Sequence, residues 1–289
     1  MPLVLPENHP DAGASRGDLS SLSPKGSPVR IGIINVMPKL EAYEPLLLGP
    51  LSRVGRAIEP VFIRLESHEY KSSDPRHLDR FYRPFAHAIA KAPLDGLILT
   101  GAPVEALRYQ DVRYWRELTT ILDFAKGHVT STLGLCWGGL ALGGILGIPK
   151  VLLPKKLFGV FDNRLLAPSD PISRGQSEIF PCAHSRHSSI DDAELETAAV
   201  DGRVRLLSHA PETGYSLFET PDRRFVMHLG HPEYVGERIA FEWKRDQSLG
   251  RDDVKPPQNF DSNVPVTSWH DHRESLFHSW IDLVAPATK

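Results

Sequence analysis

Cysteine is scarce in this chain. Only Cys136 and Cys182 occur among 289 residues, too few for a disulfide framework and in the wrong spacing for a zinc knuckle. Long apolar runs are also missing. No stretch approaches the roughly 18 apolar residues of a membrane-spanning helix, and the N-terminus lacks the apolar region of a signal peptide. The expected compartment is therefore the cytoplasm, with no membrane partner. Neither sign of charge dominates, since 33 Lys and Arg stand against 36 Asp and Glu. Both signs are spread along the chain, so there is no basic stripe for nucleic acid and no polybasic patch. The 13 histidines are scattered. They form no H-E-x-x-H motif, and neither a metal nor a bound cofactor is implied.

The composition is that of a folded protein, with 41% hydrophobic and 24% charged residues. Residues 1–28 are rich in Pro, Gly, Ser and Asp without apolar periodicity, which predicts a mobile arm. The β-branched run Val29-Arg30-Ile31-Gly32-Ile33-Ile34-Asn35-Val36 predicts a strand buried on both faces. A helix over residues 44–54 and a strand over 58–65 follow, then a strand over 95–100, a helix over 114–127, a strand over 131–136 and a small-residue helix over 137–146. This alternation predicts an α/β fold, a three-layer sandwich with a mostly parallel central sheet and its site at the carboxyl ends of the strands. Residues 149–208, broken by Pro and Gly, predict shorter, partly antiparallel strands. Residues 214–219 and 224–230 read as a hairpin that delivers His231 at a strand end, and a helix is expected over 235–247. No linker divides residues 29–289, which are expected to form a single domain.

Two constellations carry chemistry. Gly134-Leu135-Cys136-Trp137-Gly138 fits the G-x-nucleophile-x-G pattern, in which small neighbours tolerate a strained strand-to-helix turn. At a helix N-terminus Cys136 would feel the positive end of the macrodipole, which favours a thiolate. The backbone N–H of Trp137 could face a developing oxyanion. The plainer reading is a buried cysteine in a Gly-rich turn. His231-Pro232-Glu233 places a proton carrier and a carboxylate two residues apart at a strand end, where the acid can fix the imidazole tautomer. A structural histidine is the alternative there.

Further segments extend the pattern along the chain: Asn35-Val36-Met37-Pro38, Leu78-Asp79-Arg80-Phe81-Tyr82, residues 95–103, Asp111-Val112-Arg113-Tyr114-Trp115, His128-Val129-Thr130-Ser131-Thr132-Leu133, Gly147-Ile148-Pro149-Lys150, His184-Ser185-Arg186 and Gly230-His231-Pro232-Glu233-Tyr234. Together they resemble the homoserine O-acyltransferases of the class I glutamine-amidotransferase-like superfamily. The resemblance covers residues 31–284 and implies a flavodoxin-like α/β sandwich. It implies a ping-pong reaction in which Cys136 takes an acyl group from coenzyme A and an amino-acid hydroxyl then attacks the thioester. His231 would be the base and Glu233 its partner. Lys156, Ser185 and Arg245 match the family's acceptor-binding positions, with Arg245 suited to clasp an α-carboxylate. Read without the family, they are a surface lysine, a turn serine and an exposed helix arginine. The resemblance also admits a homodimer.

Glu105 matches the position that selects the acyl donor in this family. A glutamate there resembles the acetyl-using members, and a carboxylate in the acyl pocket would repel a succinyl group. Acetyl-CoA is thus the implied co-substrate, and homoserine the implied acceptor, within methionine biosynthesis. Two departures bear on the acceptor. Leu40 stands where the family has a lysine, with Lys39 one place earlier, and Leu140 stands where it has a glutamine. Serine as acceptor, a glutaminase-type amidotransferase and a non-catalytic binding homologue are the competing readings.

Overall fold

The computed structural model describes residues 3–12, 27–104 and 106–286. In chain order its regular elements are β1 (Val29–Ile34), α1 (Leu40–Leu51), β2 (Ile58–Arg64), α2 (Pro75–Phe81), β3 (Arg83–Pro84), α3 (Phe85–Lys91), β4 (Gly96–Leu99), α4 (Trp115–His128), β5 (Ser131–Leu135) and α5 (Trp137–Ile145). They continue as β6 (Lys150–Leu165), β7 (Ile179–Ile190), α6 (Asp192–Val200), β8 (Arg205–Ala210), β9 (Gly214–Glu219), β10 (Phe225–His228), α7 (Gly236–Ser248) and α8 (His270–Val284).

The strands form one sheet in the order β3-β2-β1-β4-β5-β10-β9-β8-β6-β7. The half from β3 to β10 is parallel, and from β10 to β7 every pairing is antiparallel. β1, β4 and β5 lie at the centre and are buried at every position but Arg30, as strands covered on both faces must be. One apolar layer gathers α1, α7 and α8 over the sheet. The other gathers α3, α4, α5 and α6. The expected three-layer α/β sandwich is what forms, with strand order reversing beside β1, where open α/β sheets keep their ligand crevice.

Three features differ from the sequence expectation. The middle region is a long antiparallel pair, β6 and β7, whose register shifts between Leu152 and Leu157. Pro154 and Gly159 fall inside β6 and hide its length from pattern reading. Helix α8 was not expected, because His272 and Arg273 are buried beside Leu276, Phe277 and Trp280 and blur its apolar stripe. Residues 3–12 of the anticipated mobile arm lie on the domain. Val4 donates its N–H to Ile58 O at 2.7 Å, and the His9 ring stacks on Phe62 with centroids 5.1 Å apart. An apolar edge next to β2 gives that segment a surface to bury. Residues 13–26 lie outside the described residues.

Candidate active site

Cys136 joins β5 to α5 with φ 50° and ψ −113°, a conformation that costs an L-residue about 1–3 kcal/mol and that surrounding structure must enforce. Its N–H donates to His228 O at 2.8 Å, and its carbonyl accepts the Leu140 N–H at 3.1 Å. The flanking glycines are required by space. A Cβ on Gly138 would lie 2.2 Å from Leu99 O, and one on Gly134 would lie 2.6 Å from Gly138 O. Trp137 opens α5, so its N–H is among the first helical amides, which have no partner within the helix.

β10 runs parallel beside β5 with His228 opposite Leu135, so the chain leaving β10 emerges at the same sheet end as Cys136. The His231 N–H donates to Ala183 O at 2.7 Å, and its Nδ1 lies 2.7 Å from Glu233 Oε1. With Nδ1 committed to the carboxylate, Nε2 is the ring nitrogen left for the adjacent Cys136. Burial opposes charge on His231, yet the adjacent Cys136 and Glu233 outweigh it and hold the imidazolium well above its usual range. Gly101, just past β4, forms the facing wall: a Cβ there would sit 3.5 Å from both Cys136 Cβ and His231 Cε1. The arrangement can hold a thiolate, carry a proton to and from it, and keep the imidazole in one orientation.

Sequence reasoning missed Tyr43. From the first turns of α1 its hydroxyl donates to Glu233 Oε1, the same oxygen that accepts from His231 Nδ1, and burial followed by Glu233 pushes its own pKa well up. The two residues are far apart in sequence, and no local pattern could have paired them. Tyr234, also missed, stacks on the His231 ring with centroids 4.0 Å apart.

Lys156, Ser185 and Arg245 meet in a second, adjoining cluster built on one face of α7. Lys156 Nζ lies 2.8 Å from Asp246 Oδ2 with both side chains buried, and Arg245 donates from Nε and Nη2 to Asp246 Oδ1 at 2.9 and 2.7 Å. Ser185 Oγ donates to Glu242 Oε2 at 2.6 Å, while Tyr234 and Arg238 donate to Glu242 Oε1 at 2.9 and 3.2 Å. Burial would raise the Glu242 carboxyl, but Arg238, Lys156 and His231 hold it below its ordinary value. Lys156 is not a surface lysine, and Ser185 is not a free turn serine. Arg245 is partly exposed, with its fork turned to Asp246.

A profile of the homoserine O-succinyltransferase family matches residues 20–289. The chain belongs to that family. It is 38% identical to the homoserine O-acetyltransferase of Bacillus licheniformis over 88% of this chain and 85% of the relative. It is 34% identical to the homoserine O-acetyltransferase of Clostridium novyi over 98% of this chain and 96% of the relative. Among solved structures, a glutamine amidotransferase from Thermotoga maritima covers 90% of this chain and 100% of its own with a TM-score of 0.59 at 12% identity. A putative GMP synthase subunit from Thermoplasma acidophilum gives a TM-score of 0.55 at 14% identity, covering 90% of this chain and 96% of its own. These last two likenesses show the fold alone. The protein is an acyltransferase acting on small molecules.

The structure gives Leu40 and Leu140, the two leucines singled out in the sequence, a packing role each. Leu40 is wholly buried in the layer under α1 and α8, and Leu140 is buried in the opposite layer. Lys39 is exposed, in a left-handed backbone conformation with φ 52°. Glu105 lies outside the described residues.

Proposed function

We propose that this protein is a homoserine O-acetyltransferase that works through a thioester on Cys136. The observation that carries this reading is the convergence of His231 on Cys136 at a strained elbow, with the other ring nitrogen held by Glu233. The Cys136 thiolate adds to the thioester carbonyl of acetyl-CoA, and the Trp137 N–H stabilises the oxyanion. As the C–S bond to coenzyme A breaks, the departing sulfur takes a proton from His231. The acceptor hydroxyl then gives its proton to His231 and its oxygen attacks the acetyl carbon. The Cys136–acyl bond breaks and the thiolate returns, so atoms and charge balance over the cycle. Glu233 offsets the positive charge on His231 at each stage.

Arg245, Lys156 and Ser185 bind the acceptor in this proposal. Arg245 turns from Asp246 to the α-carboxylate, while Glu242 and Asp246 supply negative charge near an α-ammonium. The acetyl donor is supported by the names of the curated relatives and by a carboxylate at Glu105, which would fill the acyl pocket and repel a succinate tail. Residues 29–289 act as one domain, feeding methionine biosynthesis in the cytoplasm.

The test is a mass-spectrometric screen of acetyl- and succinyl-CoA, each with homoserine and serine. O-acetylhomoserine should dominate. Succinyl transfer equal to acetyl transfer would remove the role of Glu105, and preferred acetylation of serine would move the acceptor. Glutamine hydrolysis without acyl transfer would replace the whole reading with an amidotransferase.

A further inference from the structure

Away from Cys136, the N-terminal segment brings a histidine to two others of metal-binding type. His9 Nε2, Glu44 and His77 Nε2 offer ligand atoms that all lie within 4.8 Å of one another, and all three residues are buried. They come from three separate pieces of chain: the segment before β1, the first turns of α1 and the start of α2. Glu44 bridges them. Its Oε1 lies 2.8 Å from His77 Nε2, and its Oε2 lies 3.1 Å from His9 Nε2. The second contact is not in hydrogen-bonding geometry, so the Nε2 of His9, a residue only 3% exposed, points into the cluster with no hydrogen-bond partner. A buried ring nitrogen left this way is costly unless something satisfies it.

We propose that His9, Glu44 and His77 bind a divalent cation of borderline softness, Zn2+ by preference, which pins the N-terminal segment to α1. Two imidazoles and a carboxylate form a donor set that suits this class of ion, with one further position for water. The far nitrogen of His9, Nδ1, accepts the Asp11 N–H at 3.3 Å, with Asp11 Oδ2 3.7 Å away, and these contacts fix the orientation of the ring. Glu44 and Asp11 together carry the two negative charges that balance a divalent ion. Both rings are held in place by aromatic contacts, since His9 and His77 each lie 4.8 Å from the Phe81 ring. Tetrahedral zinc with bonds of about 2.0–2.1 Å sets its ligands about 3.3 Å apart. The N to O separations of 2.8 and 3.1 Å therefore open by roughly 0.2–0.5 Å when the ion enters. Because Glu44 follows Tyr43 in α1, the ion stiffens the helix from which Tyr43 reaches Glu233.

Metal-free full-length protein is titrated with Co2+, whose visible d–d absorption reports nitrogen and oxygen ligation, and then competed with Zn2+. One Co2+ per chain should saturate the bands, and Zn2+ should abolish them. The His9→Ala and His77→Ala proteins should each weaken binding at least about tenfold, the usual loss on removing a direct ligand or its support. Zn2+ should also raise the melting temperature of the native protein and leave that of His9→Ala unchanged. Residue 9 lies outside the sheet and its helices, so this variant decides even if His77→Ala fails to fold. Absence of Co2+ bands in the native protein, or an equal Zn2+ response in His9→Ala, overturns the proposal and leaves a hydrogen-bonded His-Glu-His cluster. Neither result depends on acyl transfer.

Discussion

Replacing Glu233 with glutamine removes one charge and almost nothing else. The side chain keeps its shape, its carbonyl can still accept from His231 and Tyr43, and the site is fully buried, so solvent cannot take the place of the lost charge. A unit charge about 4 Å from the imidazolium is worth about 4 kcal/mol at an effective dielectric of about 20. The hydrogen bond that glutamine retains offsets part of this, leaving about 3 kcal/mol. Cys136 and Glu233 hold that imidazolium well above its usual range. Glu233→Gln should therefore bring its midpoint down. Ring-nitrogen NMR of His231 reads the shift directly. Alkylation of Cys136 by iodoacetamide, followed by peptide mass spectrometry, reads the same proton, with Cys182 as internal control because burial pushes its thiol well up and keeps it closed to reagent. Turnover should fall by about 10²-fold. Superimposable titrations for the native and Glu233→Gln proteins would refute the argument that Glu233 acts through His231.

Gly138→Ala drives a Cβ to 2.2 Å from a backbone oxygen that cannot rotate away; destabilisation beyond about 1–3 kcal/mol and loss of Cys136 alkylation are expected, read by thermal melts and mass spectrometry. Tyr43→Phe removes one donor from a buried carboxylate, worth about 1.5–3 kcal/mol, and should lower kcat by roughly tenfold with little change in KM for either substrate. Glu219 is buried against Asp170, and burial, then Asp170, pushes its carboxyl up to about 8. The folded state thus holds a proton that the unfolded chain gives up near its ordinary value, so stability is lost as pH rises toward 8. Glu219→Gln should melt higher than the native protein at pH 8, and the gap should close as the solution is acidified toward the ordinary carboxyl range. An unchanged gap across that window would contradict the shift.

Local pattern carried the parallel half of the sheet because β1, β4 and β5 are short, mostly apolar runs. It also carried the elbow, since Gly134 and Gly138 are demanded by backbone contacts that any such turn creates. The antiparallel half was less legible. Pro154, Gly159 and an exposed first stretch give β6 no regular alternation, and its length follows from pairing with β7. Tertiary partnerships were illegible for a different reason. Tyr43 falls just before the helix expected over 44–54 and carries no signal until the fold sets it against Glu233, and His9 reads as part of a polar arm until Phe62 and Phe81 enclose it. Lys156 looked like a surface cation for the same reason, its partner Asp246 lying 90 residues further on, in α7. Family resemblance supplied what spacing could not there.

The account turns on whether Cys136 carries the acyl group. Mixing the protein with acetyl-CoA in the absence of any acceptor, and measuring intact and peptide mass, answers it most directly. The account predicts a burst of free coenzyme A stoichiometric with protein and the mass of one acetyl group on the Cys136 peptide, discharged when homoserine is added and absent from Cys136→Ser. An unmodified Cys136 together with normal transfer, or full activity in Cys136→Ser, would contradict it.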